Sequence, residues 1–78
     1  MTSNIKLPLT ESARQCLARN LRELRATRGL TQEGLAFDAG LHRTFVAHVE
    51  RGARNLSIDN IEKLATALGV RPVDLLRD

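Results

Sequence analysis

Tryptophan and tyrosine are absent from this chain of 78 residues, and Phe37 and Phe45 are its only aromatics. A core of large rings is thereby excluded. Leu, Ile, Val and Ala must supply it, which suits closely packed helices. Cysteine is scarce too: Cys16 stands alone, so no internal disulfide forms and an intracellular setting is the simplest inference. Cys16 itself reads as a small residue on the side of a helix rather than a reactive thiol. No apolar run approaches the roughly 18 residues of a membrane span. Residues 1–9 hold no hydrophobic stretch of signal-peptide length, and the expected location is the cytoplasm. Catalytic groupings are missing as well. No carboxylate pair, Ser-His-Asp set, Cys-His pair or phosphate-cradling glycine loop stands on a frame that could support it, which argues against an enzyme. His42 and His48 are six residues apart and point to different sides of a helix, and Cys16 is not at a ligand spacing, so neither a metal nor another cofactor is expected. No small-molecule ligand is expected either.

What the chain does have is basic charge, unevenly placed. Lys and Arg number 12 against 9 Asp and Glu, for a net charge of +3. Residues 14–54 carry a local balance of +4, and residues 55–78 one of −1. Ten of the twelve basic residues are Arg. The planar fork of Arg pairs bidentately with phosphate or guanine, although a preference for Arg equally fits genomic composition. A polyanionic partner suits this distribution without being required by it.

The length allows one domain, with an economical core. Residues 1–9 show no periodic pattern and read as a flexible arm. Residues 10–78 then read as one helical domain. Thr10 or Ser12 can cap a first helix over residues 11–28, with Ala13, Leu17, Leu21 and Leu24 on one face and Gly29 as its stop. Thr31 caps a short second helix that ends at Ala39. Gly34 inside it costs up to about 1 kcal/mol relative to Ala, so a close approach of another backbone is one reason for its presence. Gly40 takes a turn, and Phe45, Val46 and Val49 recur at helical spacing through a third helix over residues 42–51. Ser57 caps a fourth, whose apolar face is Ile58, Ile61, Leu64, Ala65 and Leu68. Pro72 suits the first turn of a fifth, with Val73, Leu75 and Leu76 as its apolar cluster. The expected fold class is all-α: a compact five-helix bundle.

Two helices joined by a tight turn at Gly40 and Leu41 form a helix-turn-helix when the inner positions are small or apolar. Counting from Gln32, Ala36 lies where the two helices approach most closely, and Val46 and Val49 face the core. Arg43, Thr44, Ala47 and His48 are left projecting outward, where they could enter a groove of DNA. Gln32, at a helix N-terminus, is the first candidate for a phosphate contact. His42 reads as a helix-start or capping residue. An exposed Arg43 or His48 is, taken singly, equally a solvated side chain.

The segments Gly29-Leu30-Thr31-Gln32-Glu33, Leu35-Ala36, Gly40-Leu41, Glu50-Arg51-Gly52 and Leu64-Ala65-Thr66-Ala67-Leu68-Gly69-Val70 resemble the Cro/C1-type (Xre) helix-turn-helix family over roughly residues 12–76. Within it, Arg43-Thr44-Phe45-Val46 and the run from Glu50 to Ile58 are similar to the controller proteins of restriction-modification systems. The resemblance implies a lambda-repressor-like fold and a transcription regulator that binds a pseudo-palindromic operator on double-stranded DNA as a homodimer, with the third helix in the major groove. It also implies base contacts from Arg43, Thr44, Ala47 and His48, and backbone contacts from Arg54, Asn55 and Arg25, with Arg25 paired to Glu50. Val73, Leu75 and Leu76 are the expected dimer contact, or else they complete the monomer core. Gly34 departs from the acidic or longer polar residue usual in the family. Phe45, where Tyr is frequent, would touch DNA or pack inward. A phage-type repressor, an antitoxin or a protein-interaction module on the same fold are the alternatives. The polar outward face of the third helix favours DNA over a protein partner.

Overall fold

The computed structural model describes residues 11–78. The expected arm over residues 1–9 and the alternative cap Thr10 lie outside the described residues. Four α-helices follow in order: α1 (Ala13–Thr27), α2 (Gln32–Ala39), α3 (Arg43–Glu50) and α4 (Ile58–Leu68). Among the described residues there is no strand. Each helix begins where a side chain takes up a free amide. Ser12 accepts from the Gln15 N–H, and Gln15 accepts from the Ser12 N–H in return, closing a capping box at α1. Thr31 accepts from Gly34 at α2, His42 Nδ1 from Thr44 at α3, and Ser57 from Asn60 at α4. Ahead of α1, Arg19 donates to both oxygens of Glu11 and holds that carboxyl below its usual pKa.

The core forms where the four apolar stripes meet. Leu21, Leu35, Val46, Val49, Leu64, Leu68 and Leu75 are fully enclosed, with Leu17, Ala36 and Ala65 between them. Burial of each large aliphatic side chain contributes about 1.5–3 kcal/mol. Small Ala36 lets α2 and α3 approach closely, as the sequence pattern implies. Gly40 makes the turn between them with φ +70°, a left-handed conformation in which a Cβ would be strained. The Leu41 N–H then returns to the Ala36 carbonyl at 2.8 Å, which ties the turn to α2.

The fifth helix of the sequence reading is corrected to a single 3-10 turn, Pro72–Leu75. Its bonds run from Asp74 N to Arg71 O and from Leu76 N to Val73 O. Buried Asn20 donates to the carbonyls of Leu75 at 3.0 Å and Arg77 at 2.7 Å, and the Cys16 thiol also reaches Arg77 O. These bonds dock the turn and the residues after it on α1. Leu75 is thereby turned into the core and removed from the expected dimer contact, whereas Val73 and Leu76 stay 52% and 45% exposed. Ile58, expected on the buried face of α4, is 72% exposed, because it is the first residue of that helix. Gly34 sits in the first turn of α2, where an added Cβ would meet the Thr31 hydroxyl at 3.2 Å. The neighbour is thus the cap side chain and not another backbone.

Candidate nucleic-acid interface

The short, tight connection between α2 and α3 decides which side chains share a surface. Val46 and Val49 are buried in the core, where α3 packs on α1 and α2, so the opposite side of the helix faces out. Arg43 and Thr44 are exposed there, and Ala47 and His48 are half-buried beside them. An open groove of about 580 Å³ gathers these four with Arg25 and Gln32. Six of the eight expected DNA-contact residues therefore meet in one place. Arg51, Thr31 and Glu33 line the same groove. The sequence reading did not select Arg51, although its place one turn after His48 on the same side of α3 was a usable signal.

Beneath the groove lies Glu50, the last residue of α3, whose carboxylate is only 2% exposed. Arg25 Nε donates to Oε2 at 2.7 Å and Nη2 to Oε1 at 3.1 Å, a bidentate pair, while Nη1 donates to the Leu30 carbonyl at 2.7 Å. The expected Arg25–Glu50 pair is present. Gln32 Nε2 adds a third donor to Glu50 at 2.9 Å, which the spacing of the sequence does not disclose. Arg22, also missed, donates to the Glu50 backbone carbonyl. A carboxylate removed from water needs such partners. The result is that α1, α2 and α3 are joined at one point directly under the outward-facing side chains. Gln32 retains a second amide hydrogen, and the first amides of α2 have no intrahelical partner, so this end of α2 can receive an anion.

Arg54 and Asn55 are exposed on the loop after α3 and lie outside that groove. They line a second one, of about 340 Å³, with Arg14, Leu56 and Leu76. The Arg54 guanidinium lies 5.2 Å from the centre of the Phe45 ring, a cation–π distance. Phe45 is half-buried, so its ring packs on the core and supports Arg54 at the same time. His42 is the N-cap of α3, in agreement with the sequence reading. Among the described residues no group of three His, Cys, Asp or Glu could hold a metal, and no helix is long and apolar enough to cross a membrane.

Residues 21–75 match the helix-turn-helix family. The chain belongs to this family, in its Cro/C1-type branch. It is similar to the control protein C.BamHI of Bacillus amyloliquefaciens, 46% identical over 69 residues that cover 87% of this chain and 85% of that protein. The restriction-modification controller protein C.AhdI from Aeromonas hydrophila superposes with a TM-score of 0.78 at 53% identity, over 80% of this chain and 94% of that one. A hypothetical transcription factor from Neisseria gives 0.84 at 45% identity, over 97% and 87%. This helix-turn-helix chain is a DNA-binding transcription regulator.

Proposed function

We propose that the chain is a restriction-modification controller protein of the cytoplasm, which binds a pseudo-palindromic operator as a homodimer with α3 of each protomer in the major groove. The observation that carries this reading is the groove in which Arg43, Thr44, Ala47 and His48 stand together, flanked by Arg25 and Gln32. Arg43 addresses the O6 and N7 of guanine. Thr44 hydrogen-bonds a base or touches a thymine methyl, Ala47 gives clearance, and His48 donates or accepts. Gln32 and Arg25 hold the phosphates on one side of the groove and Arg54 and Asn55 those on the other, which sets the register of the helix. Two such protomers match half-sites about 34–36 Å apart.

The dimer contact falls to Val73 and Leu76, with Ile58 added from α4. Together with Phe37, on α2, these are the large hydrophobic side chains left exposed among the described residues. Leu76 shares its groove with Leu56 and Ile61, and Ile58 lies one helical turn before Ile61. As a controller, the protein occupies two adjacent operators cooperatively, activating at low dose and repressing at high dose. Footprinting of its promoter over a titration checks this: the second operator should fill over a narrower range than independent sites allow. Strictly independent occupancy of a single site contradicts the controller reading.

A further inference from the structure

Arg14 is not accounted for by the fold. It stands in the first turn of α1, where the field of the helix disfavours a cation and where no acidic residue offsets it. Among the described residues it forms no ion pair. Its one polar side-chain partner among the described residues is distant in sequence: Arg14 Nη2 donates to Oδ1 of Asn55, on the exposed loop after α3. A guanidinium has donors and no acceptor, so the amide atom turned to it must be the oxygen. The Nδ2 hydrogens of Asn55 are left on the other side with no acceptor among the described residues, which is the orientation an anion requires. The loop carries no regular secondary structure at Asn55. Among the described residues, Arg14 alone bonds the Asn55 side chain and so selects that face of the amide.

We propose that Arg14 is a positioning residue for DNA binding: it holds Asn55 with Nδ2 presented to a backbone phosphate and keeps the loop against α1. The proposal rests on the DNA-binding reading above and extends it to a residue outside the helix-turn-helix. Arg54 is supported in a parallel way, by the Phe45 ring, so both loop donors are aimed by side chains from other elements.

A double-mutant cycle tests it. Arg14→Met keeps the stem and removes the donors, Asn55→Ala removes the amide, and both residues are exposed, so the fold should survive. Affinity is measured at fixed salt on the duplex that the wild type selects from a randomised pool. Each single variant should bind about ten-fold more weakly, the scale of one hydrogen bond to a charged group. The double variant should bind no more weakly than the singles, with an unchanged thermal midpoint. In the Asn55→Ala background, adding Arg14→Met should also leave the salt dependence unchanged. Losses that multiply, or a salt slope that falls by about one, would make Arg14 a phosphate contact in its own right and overturn the proposal. Arg14→Met binding as tightly as wild type overturns it too. Failure of the wild type to bind any duplex would remove the DNA-binding reading itself, a result distinct from either.

Discussion

Arg43 combines exposure, a place in the first turn of α3 and a neighbour, Thr44, whose amide is capped by His42. Its guanidinium can therefore reach a base edge from a fixed helix start. Arg43→Ala should weaken binding to the operator by about 1–3 kcal/mol and relax the preference at one base pair, as read by competition with singly substituted duplexes. An equal loss on every sequence would make Arg43 a phosphate contact. The four outward residues of α3 were legible in the sequence because helical periodicity alone fixes which side opposes Val46 and Val49. Gln32 was found from its place at a helix start, but its bond to Glu50 was not, since an 18-residue separation carries no periodic signal. Arg14 was invisible for the same reason: its partner lies 41 residues away.

At the scale of elements, Glu50 is the point where three helices are held. It closes α3, takes two bonds from Arg25 of α1 and one from Gln32 of α2. Glu50→Ala should lower stability by about 3 kcal/mol, because a half-buried Arg25 loses its carboxylate partner. Operator affinity should also drop in the fraction that stays folded, as Arg25 and Gln32 lose their orientation. Urea unfolding and binding isotherms on the same sample check both. A variant of wild-type stability would show that Arg25 finds an equivalent partner. Helix positions were readable to within two residues because Ser12, Thr31, His42 and Ser57 are strong local caps and Gly40 and Gly69 are stops. The last element was not readable in this way. Its composition suits a helix, and the tertiary bonds from Asn20 and Cys16 that dock it on α1 leave no periodic signal in the sequence.

For the whole molecule, the proposed function calls for a second copy, and the structure separates the apolar residues buried in the monomer from those left exposed. Leu75 is fully buried and Leu76 is 45% exposed, though they are adjacent. Leu75→Ala should cost about 2–5 kcal/mol of monomer stability. Leu76→Glu with Val73→Glu should leave the fold intact and shift sedimentation toward monomer. Unfolding of that double variant would place these side chains in the core instead. The sequence reading grouped Val73, Leu75 and Leu76 together because a short apolar cluster has no visible inside and outside until the turn is in place. Whether a two-fold protein reads DNA through α3 is decided by selecting bound duplexes from a randomised pool at fixed salt and sequencing them. The expected result is a two-fold symmetric motif with half-sites about one helical turn apart. Recovery of no motif by folded protein, or of a single unsymmetric half-site, would contradict it.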